Sequence, residues 1–179
     1  MGNMTYEELE KDYLEYKQKA ENLLEDSEKF KALFDRNLHC VYVHDFEGNF
    51  IDANEASLKL LGYKRKEIPS INFSSLIGDE QLPEALKALK EIKKNGFQKG
   101  FSEYKLKLKN GSYVWVETDG SLIYREGKPY AILGVARDIT DRKNASEALR
   151  KSEEEYRLLV ENANDAICIV QDGQVKFPN

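Results

Sequence analysis

The chain has 179 residues, of which 41% are hydrophobic and 33% charged, with a formal net charge of −5. That is room for one domain of ordinary size with solvated helices around it, and the acidic balance argues against nucleic acid as a main partner. No apolar run reaches the length of a membrane span, and the charged start MGNMTYEELEKDY does not read as a signal peptide.

Residues 5–34 read as one long helix. Tyr6, Leu9, Tyr13, Tyr16, Ala20, Leu23, Ser27, Phe30 and Phe34 recur at alternating intervals of three and four, the spacing of a coiled coil. The narrow stripe, with no Gly or Pro, favours pairing with a second helix over folding back onto a domain. A strand follows at CVYVHD, then a turn at FEGN and a returning strand at NFIDA. Asn54 is placed to N-cap a two-turn helix, ASLKLLGY, with Gly62 just past its end. Residues 64–78 hold Pro69 and several serines and read as irregular, with short helical turns. A helix from about Asp79 to Asn95 carries Leu82, Leu86, Leu89 and Ile92 on one face and ends at Gly96. Three strands close the domain: FSEYKLKLKNG, SYVWVETDGSLIYREG and PYAILGVARDIT. Asn110-Gly111 and Glu126-Gly127 join them as an antiparallel meander. After Thr140 the chain is helical again, and Ala145, Leu149, Ser152, Tyr156, Leu159 and Ala163 continue the three-four spacing.

In this order, the elements HDFEGNFIDAN, LLGY and the closing GVARDITDRKNASEALRKSEEEYR resemble a PAS domain with its C-terminal motif, over roughly Phe30 to Lys151. The resemblance implies an α+β fold. Its five-stranded antiparallel sheet would have the order 2-1-5-4-3, with helices on one face enclosing a small cavity, and long helices flanking it. It also implies a role in bacterial-type signal transduction, as in two-component systems. The domain would sense a small molecule and pass the signal through dimerising helices, or serve as a ligand-free dimerisation and relay module. A catalytic output domain, a histidine kinase or a diguanylate cyclase, is expected outside these residues.

Part of the pattern occurs twice. Phe30 matches Tyr156, Leu33 matches Leu159 and Val41 matches Ile167; after one deletion Gly48 matches Gly173 and Asn54 matches Asn179. A spacing this long suits tandem domains better than a solenoid. The expected division is a paired helix over 1–35, a PAS domain over 36–140, a linker helix over 141–163 and the truncated start of a second PAS domain over 164–179, loosely held. Cys40 and Cys168 fall at equivalent places in the two stretches and read as buried strand residues, not a disulfide. That suits a reducing, cytoplasmic compartment.

Motifs for phosphate cradles, zinc hydrolases and serine nucleophile elbows are absent from the sequence. The resemblance bears on cofactors through its departures. Flavin photoreceptors of the family carry a reactive Cys in the helix after the second strand, where Pro69 to Leu76 has none. They also carry a Gln near the end of the last strand, where this chain has Ala136. Haem-binding members take an axial His from the long helix, which has none here. Flavin-adduct chemistry and haem are therefore not expected, and no metal set is visible. The two histidines, His39 and His44, flank the first strand. With the inward face that the family gives this strand, Cys40, Tyr42 and His44 would wall a cavity, and Gly134 and Ala136 would leave room opposite. The same residues also suit a filled interior with no ligand. Trp115 and Tyr113 are open between packing and lining. Asp138, Ile139 and Thr140 sit where the last strand hands over to the final helix, and the resemblance makes them the relay.

Overall fold

The structure is a computed structural model that describes residues 6–161, 168–171 and 174–178, with side chains over 11–160. Residues up to Arg137 form one compact unit and residues from Asp138 another.

The first unit opens with α1, Tyr6–Asp35. β1 (Cys40–His44) and β2 (Phe50–Ala53) then form a hairpin, followed by α2 (Glu55–Leu61). A 3-10 helix at Arg65–Ser70, the short α3 (Phe73–Leu76) and a 3-10 turn at Asp79–Gln81 lead into α4, Leu82–Asn95. The expected helix start at Asp79 therefore divides. Its first three residues wind tightly, and the α-helix proper begins with Pro83 in its first turn, where the missing N–H costs nothing. β3 (Ser102–Lys107), β4 (Tyr113–Arg125) and β5 (Lys128–Asp138) complete one five-stranded sheet in the order β2-β1-β5-β4-β3. β1 lies antiparallel to both β2 and β5. The β4–β5 turn puts both Glu126 (φ 52°) and Gly127 (φ 75°) in the left-handed region, which matches the twist of a two-residue hairpin.

The core lies between this sheet and the helices α2 to α4. Tyr104, Val114, Val116, Ile132 and Ala136 come from the sheet, and Leu58, Leu61, Ile68, Leu76 and Ile92 come from the helical segment; all are buried. On α1, Phe34 is buried and stacks on Phe30, with ring centroids 5.7 Å apart. The rest of the expected stripe that carries described side chains is open: Tyr13, Tyr16, Leu23 and Phe30 are all exposed.

The second unit holds α5 (Thr140–Glu161) and a hairpin of β6 (Cys168–Gln171) and β7 (Gln174–Pro178). This hairpin repeats the strand pairing of the first, with one residue fewer in its turn. Tyr42 pairs with Ala53 as Cys168 does with Pro178, and His44 pairs with Phe50 as Val170 does with Val175. The register slips at the same step in each, between Val43 and His44 and between Ile169 and Val170. Cys168 thus holds the register position of Tyr42, not that of Cys40. The two cysteines fall in matching strands but two residues apart in register. Residues 162–167, 172, 173 and 179 lie outside the described residues, as does the expectation that 164–179 is loosely held.

Candidate functional site: an apolar cavity with a polar aromatic wall

Between the sheet and α4 lies a cavity of about 270 Å³. Its wall begins on β1, where the two-residue repeat sends Tyr42 and His44 to the same side. Their rings join Phe50 and Phe73 in a near-parallel stack. Tyr42 and Phe50 centroids are 5.2 Å apart at 15°, and His44 and Phe73 are 6.0 Å apart at 20°. Tyr104 meets Phe73 edge-on at 5.5 Å. Such contacts add about 0.5–1.5 kcal/mol each beyond simple burial. The opposite side is aliphatic: Leu82, Ala85, Leu86, Leu89 and Ile92 of α4 line the space, as does Ile132 of β5.

Two polar groups are built into the aromatic wall. The Tyr42 hydroxyl lies 2.9 Å from Thr118 Oγ1, and Thr118 Oγ1 donates to the Val135 carbonyl at 2.8 Å. Thr118 has one proton, so Tyr42 is the donor of the pair. Burial pushes the Tyr42 phenol up to about 12, against the smaller opposing effect of the Thr118 hydrogen bond. His44 Nδ1 lies 2.7 Å from the Asp45 carbonyl oxygen. Burial holds the imidazole below its ordinary value, against the pull of that hydrogen bond, so the neutral ring is favoured near pH 7.

Of the expected pocket residues, Tyr42, His44 and Gly134 line this cavity. Gly134 does so differently from expectation. It sits opposite Tyr42 in the register, and a Cβ there would overlap the Tyr42 ring. Its room is taken by the protein's own aromatic wall, not left for a ligand. Cys40 and Ala136 do not line the cavity. They pair with each other one strand repeat further along and border a separate void of about 20 Å³ with Leu60 and Leu61 of α2. The Tyr42 ring stands between, since it borders both spaces. His39 is exposed, and its amide bonds Asn37 Oδ1 at 2.9 Å. Tyr113 is exposed and Trp115 half-buried; neither is among the lining residues.

The sequence reading missed Phe73, Tyr104 and Thr118. Thr118 had a signal: Val114, Val116 and Thr118 share one strand face, and a lone hydroxyl on an apolar face asks for a buried partner. Phe73 comes from the irregular segment and had none.

Asn54 does more than cap. Its Oδ1 accepts from Ser57 N and Ser57 Oγ, both at 2.9 Å, and from Val41 N at 3.0 Å. Its Nδ2 donates to the His39 carbonyl at 2.9 Å and the Phe34 carbonyl at 3.0 Å. One fully buried amide thereby joins the end of α1, the start of β1 and the first turn of α2. Nearby, Arg65 bridges Asp35, Asp52 and Glu55 at 2.7–3.1 Å. Gly62 ends α2 at φ 79°, its amide on the Leu58 carbonyl at 2.9 Å. At the other end of the domain, Asp138 Oδ1 accepts the amide of Thr140 at 2.8 Å. Thr140 is the first helical residue of α5, so Asp138 holds the helix start and Ile139 between them is buried.

The family described as PAS fold matches residues 50–136. Sporulation kinase E of Bacillus subtilis is 30% identical over 151 residues, covering 84% of this chain and 20% of that protein. The sensor histidine kinase TmoS of Ectopseudomonas mendocina is 26% identical over 128 residues, covering 71% of this chain and 13% of that protein. The chain thus spans a fifth or less of these relatives. The crystal structure of a domain of a sensory box sensor histidine kinase/response regulator from Geobacter sulfurreducens is 28% identical at a TM-score of 0.53, covering 66% of this chain and 98% of that one. With the strand order and the helices on one face of the sheet, these matches establish that the chain carries a domain of the PAS fold family.

Proposed function

We propose that this PAS domain is a sensory module that binds a small molecule in the cavity beside Tyr42 and His44 and relays its occupancy through the flanking helices. The observation that carries the reading is the cavity itself. About 270 Å³ is left open beside a wall whose polar groups are held in fixed orientation by Thr118 and Asp45. A space of this size is large enough for a small molecule; an apolar cavity of roughly 150 Å³ already takes benzene. The similarity to sensor kinases supports placing the domain in a longer signalling protein whose catalytic output, a histidine kinase or a diguanylate cyclase, lies outside this chain. In this reading the domain itself is not an enzyme and uses neither flavin nor haem, and the cytoplasm is its setting.

Exposed Tyr13, Tyr16, Leu23 and Phe30 on α1, and Leu149, Tyr156 and Leu159 on α5, support dimerisation through both helices. The same faces would serve the ligand-free relay. The matching register and slip of the two hairpins support a second PAS domain beginning near residue 164, with α5 as the link between two domains. No described helix is long and apolar enough to cross a membrane.

The test is native mass spectrometry of freshly purified protein, followed by thermal shift against a metabolite set. The expected result is a bound mass that denaturation releases, or a rise in melting temperature with a subset of compounds. A protein that carries nothing, and that no compound stabilises, leaves the ligand-free relay as the function.

A further inference from the structure

The chemical class of the ligand can be read from where the cavity's protons already are; this step rests on the reading of the cavity as a ligand site. A carbonyl oxygen only accepts, so the 2.7 Å contact with Asp45 fixes the His44 proton on Nδ1. In the neutral ring, Nε2 is then a bare lone pair. Among the described residues, Nδ1 makes the ring's one hydrogen bond and Nε2 has no partner. Among the described residues, every side-chain nitrogen or oxygen sealed from solvent has a partner. Nε2 therefore is not sealed, and the half-buried His44 is one of the residues that line the cavity.

Tyr42 has the same polarity. Tyr42 spends its proton on Thr118, whose own proton goes to Val135, so the phenol oxygen keeps only lone pairs. Gln98 also lines the cavity; one N–H of its amide donates to Ser102 Oγ at 2.8 Å, and its second N–H and carbonyl oxygen make it the one lining side chain here that can both donate and accept. Among the described residues no Lys or Arg lines the space, and its ionisable acids are Glu47 and Asp119. Lys93 sits over the Phe46 ring at 4.8 Å from its centroid but is not a lining residue, so an anion entering would lose its hydration and meet no cation in the lining itself.

We propose that the cavity takes a small, largely apolar molecule that bears no negative charge and offers an O–H or N–H donor to His44 Nε2. Its body lies between the aromatic stack and the aliphatic face of α4. At about 270 Å³ the space admits one ring with a substituent. Carboxylates and phosphates are excluded by the lone pairs on the wall.

Four one-ring probes separate the possibilities: phenol is a donor, anisole an acceptor, benzene neither, and benzoate an anion. Dissociation constants come from titration calorimetry or competition, with the His44 ring nitrogens followed by NMR. Phenol should bind about tenfold tighter than anisole and benzene, the worth of one hydrogen bond, and benzoate weakest. The Nε2 resonance should move on phenol addition. In His44→Phe, which keeps a stacking ring, the preference for phenol over benzene should vanish. Anisole or benzoate matching phenol overturns the donor class but leaves a ligand site, as does phenol binding that ignores His44→Phe. If none of the four binds at millimolar concentration, the ligand-site reading falls and this proposal falls with it. Should the variant not fold, the ranking on the unaltered protein decides.

Discussion

Asn54 shows how one residue can be read correctly in type and underestimated in reach. Its N-cap role follows from a local rule: a short polar side chain before an apolar run accepts an orphan amide of the first turn. Its other bonds, to Phe34, His39 and Val41, lie 13 to 20 residues away in sequence and depend on the fold. Removing the side chain would orphan several buried backbone groups at about 1–3 kcal/mol each, less some relaxation. Asn54→Ala is therefore expected to destabilise the domain by about 3–5 kcal/mol in urea unfolding. A loss under about 1 kcal/mol, the worth of a cap alone, would show that the long-range bonds do not matter. Gly134 teaches the same lesson in reverse. A small residue on an inner strand face signals room, but only the register shows that Tyr42 fills it.

At the scale of elements, the junction between β5 and α5 is where the relay is argued. Asp138 accepts the amide of Thr140 at an exposed site. A carboxylate beside a helix N-terminus contributes about 0.3–1 kcal/mol, small against the stability of a domain but comparable to a signalling bias. Asp138→Ala should leave the melting temperature of the domain within a few degrees, while reducing the response of the full-length protein to its input. Unchanged signalling would remove Asp138 from the relay. Element identities were largely legible in the sequence, because a period of two or near 3.6 and the turn residues are local signals. The segment between α2 and α4 was not legible. Pro69 and its serines leave several short windings open, and contacts with distant strands choose among them. Those contacts brought Phe73 to the cavity, beside Tyr104 and His44.

For the whole molecule, the open question is what covers the exposed faces of α1 and α5. On α1, Phe34 turns into the domain while Phe30, Leu23, Tyr16 and Tyr13 remain exposed. A stripe at three-four spacing over a 30-residue helix has the pattern that suits pairing with another helix, as proposed above. The chain should therefore sediment as a dimer at micromolar concentration, and Leu23→Glu with Phe30→Glu should shift it towards monomer without loss of the core fold. A strict monomer at high concentration would refute helix-mediated pairing.

The sequence alone determined the element order, the strand order expected from the family resemblance, and the repeated hairpin motif, since each is carried by local periodicity or by ordered motifs along the chain. Only the tertiary structure decided which β1 residues wall the cavity. Cys40, Tyr42 and His44 share one face of one strand, and nothing local distinguishes them. Leu60 and Leu61 close over Cys40, whereas α4 stands off from Tyr42 and His44 and leaves the space between. The direction of each proton in that wall likewise depends on Thr118, 76 residues beyond Tyr42, and on a carbonyl held by the β1–β2 turn. Packing between distant elements sets both, and no window along the chain contains it.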